Sequence, residues 1–157
     1  ADVRDFEAGK LSSFIHNWGR ITRDAWVFRT LRGADIELKN LPRQTYIPRP
    51  MTYSKKEHKI IQEEIQKLLA KKVIIPTEYQ TGDFVSNVFL REKKDGTHRM
   101  ILNLKALNED LIYQKFKMEC LNSALDLITQ GCYMASIDLK DAYYSVPIAQ
   151  EYRKYLK

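Results

Sequence analysis

Nothing in this chain of 157 residues approaches the roughly 18 consecutive apolar residues of a membrane span, and no window has the charged, apolar and small-residue order of a signal peptide. The expected setting is therefore intracellular, cytoplasmic or nuclear, with no membrane partner. Cysteine is equally scarce. Cys120 and Cys132 lie twelve residues apart with no second pair and no nearby histidine, which excludes a zinc module and a disulfide framework and leaves reduced, buried thiols as the expectation. Internal repeats and low-complexity segments are also missing. What is present is 44% hydrophobic and 29% charged residues, a soluble globular composition with enough length for one ordinary core plus an extension. A net charge of +6 and a pI near 9.2 favour a polyanionic partner over an acidic substrate. The first residue is Ala1 and the last, Lys157, falls in a charged stretch, so the chain is expected to be a piece of a longer polypeptide.

Residues 11–32 read as two short helices. Leu11, Phe14, Ile15 and Trp18 share one face of the first, and Asp24 can cap a second that carries Trp26, Val27 and Leu31 before Gly33 ends it. At that spacing the tryptophans are expected in the core or at a docking face rather than as base-stacking platforms. Pro42 to Pro50 holds three prolines and two arginines and reads as an extended connector. Ser54 and Glu57 form a capping box for a helix reaching Lys72, with Ile61, Ile65, Leu68 and Leu69 as its buried stripe. Val73 to Pro76 is expected to be a short buried strand or its remnant. Later in the chain, Leu121, Leu125 and Ile128 should line a helix ended by Gly131.

Two stretches carry chemistry. In residues 88–103, Asp95-Gly96 marks a hairpin turn. A two-residue loop would mix polar and apolar residues on both faces. A three-residue loop, Lys94 to Gly96 with Gly96 left-handed, instead places Val88, Leu90, Met100 and Leu102 on one side, and hydrophobic pattern sets register. Arg91, Lys93 and Arg99 then share the other face. Such like-charge crowding is best tolerated where an anion neutralises it, although an exposed basic edge can also serve to discourage sheet aggregation. In residues 133–139, period-two alternation predicts a strand with Tyr133, Ala135, Ile137 and Leu139 on its apolar side and Asp138 on the open one. A single acid delivered at a strand end before a tight turn suits a hard cation, and is also a common cap or turn arrangement.

Asp138-Leu139-Lys140-Asp141-Ala142-Tyr143, followed by Tyr144-Ser145-Val146-Pro147, resembles the first catalytic motif of reverse transcriptases. Lys93-Lys94-Asp95-Gly96 through Arg99 to Asn108 resembles the fingers pattern of the same family, with Asn103 standing where an aspartate is usual. Leu11, Phe14, Trp18, Ile21, Thr22, Asp24, Trp26 and Val27 look like the segment upstream of the polymerase in retroelements of the DIRS type, which integrate with a tyrosine recombinase. The resemblance implies an α+β fold, a partial right-hand polymerase with fingers and the first part of the palm at residues 51–157, preceded by a helical extension and connector at residues 1–50. It implies RNA-directed DNA synthesis on an RNA or DNA template with primer and dNTP, using two Mg²⁺ ions. By the same resemblance Asp138 is the catalytic metal ligand, Leu139 offers its carbonyl to metal, and Lys93 and Arg99 contact nucleotide phosphates. Asp141 and Ala142 present backbone N–H groups to the triphosphate. Tyr143 excludes a ribose 2′-OH, and Tyr144 packs beside the sugar; a core tyrosine under the turn is the alternative for Tyr143. The Tyr-x-Asp-Asp motif that completes the family's metal site does not occur in the chain. The chain alone is therefore expected to be inactive, with the remaining polymerase half and an RNase H region expected downstream in the full polypeptide. The rival expectation is a non-catalytic, nucleic-acid-binding remnant of a decayed transposon.

Overall fold

A computed structural model describes residues 7–115 and 120–157. Among them the architecture is mixed: short helices, one long helix, and a two-stranded antiparallel hairpin. A 3₁₀ turn at Lys10–Phe14 runs into α1 (Ile15–Trp18), and α2 (Ala25–Arg32) begins where the Asp24 carboxylate accepts from the Trp26 N–H at 2.8 Å. α3 (Lys55–Ala70) starts with the expected capping box: Glu57 N–H donates to the Ser54 hydroxyl at 3.2 Å and Ser54 N–H to the Glu57 carboxylate at 2.8 Å. Ile61 is the buried member of its apolar stripe, with Ile65, Leu68 and Leu69 half-buried. β1 (Val88–Glu92) and β2 (His98–Leu102) follow, then α4 (Lys105–Asn108) and α5 (Leu121–Leu125), and finally 3₁₀ turns at Ala142–Ser145 and Gln150–Tyr155.

The core is small and non-local. Phe84, Leu107 and Tyr155 form its buried centre, with Leu38, Leu104, Tyr152 and Leu156 packed around it. Backbone pairing ties the same segments together: Phe84 N–H donates to Lys154 O at 2.8 Å and Ser86 N–H to Lys157 O at 2.7 Å. Lys157 also sends its ammonium to the buried Asp83 carboxylate at 2.7 Å, and Gln80 N–H donates to that same oxygen at 2.6 Å. The Lys157 hydrogen bond holds the Asp83 carboxyl below its usual range. Gln44 stands in for a strand neighbour, its amide exchanging two hydrogen bonds with Val85 at 2.8 and 2.9 Å. The segment before residue 50 is also woven in, through a parallel bridge between Ala34 and Ile148 and an antiparallel one between Leu38 and Leu111.

Several expectations fail for one physical reason: the pattern was local and the partner was not. Residues 133–139 form no strand, and Tyr133, Met134, Ile137 and Leu139 are exposed, because no second strand lies beside them among the described residues to complete a ladder. The helix expected through Ile128 stops at Leu125 after five residues, with Leu121, Leu125 and Ile128 exposed; without a side-chain cap or a packed face a helix this short has little to hold it. Gly131 nonetheless takes a positive φ of 79°. Residues 73–76 are not a buried strand, and Ile75 is largely exposed. Both cysteines are exposed rather than buried, and Trp26 is exposed as well, which excludes the core for it and leaves the docking face. Gly33 ends α2 with extended backbone, not a left-handed cap; its reason is space, since a Cβ there would lie 2.9 Å from the Ala149 Cα.

Candidate functional site

The hairpin takes the three-residue loop. Val88 pairs with Leu102, Leu90 with Met100 and Arg91 with Arg99, while Lys93 N–H donates to Thr97 O at 2.7 Å and Gly96 N–H to Lys93 O at 3.0 Å. Gly96 has φ 76°, and a Cβ there would meet nothing within 4 Å, so its requirement is conformational rather than steric. Asp95 accepts from the Thr97 hydroxyl at 2.6 Å and its N–H at 2.9 Å, which fixes the turn and lowers the Asp95 pKa. Side chains alternate along each strand, so this register puts Arg91, Lys93 and Arg99 on one face. All three are exposed, and among the described residues no ion pair involves any of them. The hairpin is rooted at its base: Tyr53 Oη donates to Val88 O at 2.5 Å, Asn87 Nδ2 to Arg49 O at 2.9 Å, and Asn103 N–H to Asn87 O at 2.8 Å. Asn103 Oδ1 accepts from Lys105 N–H at 3.3 Å, so Asn103 serves as a turn acceptor at the start of α4.

The second stretch is open. Asp138 is exposed, with no hydrogen bond or ion pair among the described residues, and Leu139 is 71% exposed. The chain then bends sharply at Asp141, whose φ of 57° and ψ of 27° are left-handed, and enters the turn Ala142–Ser145 through Tyr144 N–H to Asp141 O at 3.0 Å. Tyr143 is 96% exposed, which removes the alternative of a core tyrosine packed under the turn. Tyr144 is less so, and its carbonyl accepts from Gly9 N–H at 2.8 Å. Asp141 is engaged by Lys71, Nζ to carboxylate at 2.6 Å. No local sequence pattern points to Lys71 or Gly9, since their partners lie far along the chain.

Among the described residues no hydrogen bond or ion pair joins the hairpin cations to the 138–144 stretch, and no group of three or more His, Cys, Asp or Glu is gathered as a metal site would need. With Asp141 already paired, Asp138 is one free carboxylate. Mg²⁺ sites use one or two carboxylates with further oxygen ligands, and a two-ion site needs more, so the described residues do not make one by themselves. No helix among the described residues is long and apolar enough to cross a membrane.

No protein-family profile matches the chain. It is 30% identical over 124 residues to the enzymatic polyprotein of cauliflower mosaic virus (strain CM-1841), a match covering 76% of this chain and 18% of that protein. The enzymatic polyprotein of figwort mosaic virus (strain DxS) is 28% identical over 110 residues, 68% of this chain and 16% of the relative. The Gag-Pro-Pol polyprotein of simian retrovirus SRV-2 is 27% identical over 90 residues, 53% and 5%. Among solved structures, prototype foamy virus protease-reverse transcriptase (CSH mutant) aligns with a TM-score of 0.48 at 25% identity, covering 74% of this chain and 16% of that one. The chain thus spans less than a fifth of the curated relatives it matches, and what it resembles is a region of retroviral and caulimovirus polyproteins.

Proposed function

We propose that this chain is the nucleotide-facing start of a retroelement reverse transcriptase, comprising fingers and the first palm segment, and that its role is in template-directed DNA synthesis. The observation that carries the reading is the hairpin register: it aligns Arg91, Lys93 and Arg99 on one face with no carboxylate paired to them among the described residues. Three cations held side by side, none in an ion pair among the described residues although Lys93 feels the Asp95 carboxylate, form a seat for a polyphosphate, where charge-assisted hydrogen bonds offset their mutual repulsion. The two motifs and the similarity to retroelement polyproteins point the same way.

In this reading Lys93 and Arg99 bind the triphosphate of a dNTP, Asp141 and Ala142 offer backbone N–H groups to it, Tyr143 stands where a ribose 2′-OH would go, and Tyr144 lies beside the sugar. Asp138, with the Leu139 carbonyl, is this chain's contribution to a Mg²⁺ site whose other ligands come from elsewhere. The partners are a primed RNA or DNA template and a dNTP. Assignment to DIRS-type elements rests on the pattern from Leu11 to Val27.

Fluorescence anisotropy with a labelled single-stranded oligonucleotide, together with primer extension, tests the reading. The chain is expected to bind weakly at low salt, to lose that binding when Lys93 and Arg99 are both replaced by alanine, and to extend no primer alone. Unchanged binding by the double variant would remove the hairpin from the site. Primer extension by the isolated chain would mean that its carboxylates suffice after all.

A further inference from the structure

Three segments meet at the turn that follows Asp138. Lys71, at the end of α3, reaches both of the other segments: its carbonyl accepts from Ala8 N–H at 2.9 Å, and its ammonium reaches the Asp141 carboxylate at 2.6 Å. That ion pair is partly shielded, with the two side chains 33% and 21% exposed. One residue along from Ala8, Gly9 N–H donates to Tyr144 O at 2.8 Å, and a Cβ on Gly9 would stand 3.3 Å from the Pro147 Cβ, so the strap lies close against the segment it holds. Lys72, with φ 55°, pairs with Glu7 at 2.7 Å and fastens the other end of the strap. Residues 7–9 are thereby joined both to the end of α3 and to the turn.

Asp141 is where this junction acts on the site. Its left-handed backbone is sparsely populated for any residue but glycine, although Asp tolerates it better than most, and such a bend persists where surroundings hold it. The bend redirects the chain from Asp138 into Ala142, Tyr143 and Tyr144. We propose that Lys71 is a positioning residue, whose ion pair with Asp141, backed by the strap of residues 7–9, holds the bend that aims Ala142 to Tyr144 at the nucleotide. The aim at a nucleotide rests on the function proposed above; the coupling between Lys71 and the bend does not.

Amide hydrogen exchange on the whole chain tests the coupling. Lys71→Met is expected to speed exchange at Tyr144 by about tenfold or more while Phe84, paired to Lys154 in the core, stays within about twofold, because a local latch opens locally. Lys71→Arg keeps the charge and should recover most of the protection. An unchanged rate at Tyr144 in Lys71→Met overturns the proposal, and so does equal acceleration at Tyr144 and Phe84, which would make the pair a general stability contact. dTTP, followed by ligand-detected NMR, separates the two layers. If the wild type binds dTTP, Lys71→Met should weaken it about fivefold or more and Lys71→Arg by less than about twofold, in keeping with lost preorganisation. If the wild type shows the exchange pattern and binds no dTTP, the coupling stands and the nucleotide reading of the turn falls.

Discussion

Replacing Arg91 with glutamine should make the chain more stable and a poorer polyanion binder at once. Arg91 and Arg99 are direct cross-strand partners on an exposed face, with Lys93 beside them and no carboxylate ion-paired to any of the three among the described residues. Like charges directly opposite on a ladder cost about 0.2–1 kcal/mol, so removing one should raise stability by a similar few tenths to about 1 kcal/mol. Binding moves the other way. Three cations on a single strand give a salt slope of about −2 (0.7 for each), which between 50 and 200 mM salt is a loss of about 20-fold in affinity; two cations give a slope near −1.4 and a loss of about 7-fold. Urea melts at fixed salt and anisotropy titrations at the two salt concentrations measure both. A variant that is stabilised yet binds with the wild-type slope would reduce the basic face to a device against edge-to-edge association. One that is destabilised would show that the face is not repulsive, and the polyphosphate seat would lose its basis.

Ser54→Ala removes half of the capping box and should cost about 1 kcal/mol in a thermal melt. Glu57, held below its usual pKa by the Ser54 hydrogen bonds, and Asp83, held down by Lys157, both have folded pKa values below the unfolded ones. Their contribution is full above the ordinary carboxylate range and lost as pH falls through and below it, so melts taken on acidification should show this loss, with the acid-side fall shallower in Asp83→Asn. Gly33→Ala forces a methyl to 2.9 Å from the Ala149 Cα and should destabilise by about 1–3 kcal/mol, with loss of protection at Ala149, whose N–H donates to Ala34 O. Tyr143→Ala should change stability by less than about 0.5 kcal/mol, because the ring is 96% exposed, and in a polymerase that carries this chain it should raise ribonucleotide use relative to deoxynucleotide by about one to three orders of magnitude. A clear loss of stability without that change in ratio would make Tyr143 a structural residue.

What could be read in advance was what closes over a short span. The Ser54–Glu57 box, the Asp24 cap and the Gly96 bulge each depend on partners within a few residues, and the hairpin register followed from the choice between two loop lengths. What could not be read was pairing across tens of residues. Lys71 with Asp141, Lys157 with Asp83 and Gln44 with Val85 span 70, 74 and 41 positions, and none has a signature in local composition. The site divides along the same line. The cationic face was legible from alternation alone, whereas the αL bend at Asp141 and its latch depended on which helix end happens to lie beside the turn.

The failure at residues 133–139 can be decided by magnitude. Tyr133, Ile137 and Leu139 form the large apolar side of the expected strand and are 103%, 83% and 71% exposed. Burying three such side chains would contribute about 5–9 kcal/mol at 1.5–3 kcal/mol each. Fixing seven backbone residues in extended form costs about 7–14 kcal/mol at 1–2 kcal/mol each. One apolar face therefore does not carry the strand; a ladder of hydrogen bonds at about 1 kcal/mol apiece, together with a sheet to pack on, is needed to tip the balance. Asp138 stands on the same segment, and a carboxylate that binds a hard cation must be held in place by rigid neighbours. Among the described residues nothing supplies that ladder, so Asp138 stays exposed on an unpaired segment, whereas the basic hairpin and the latched turn at Asp141 form without it.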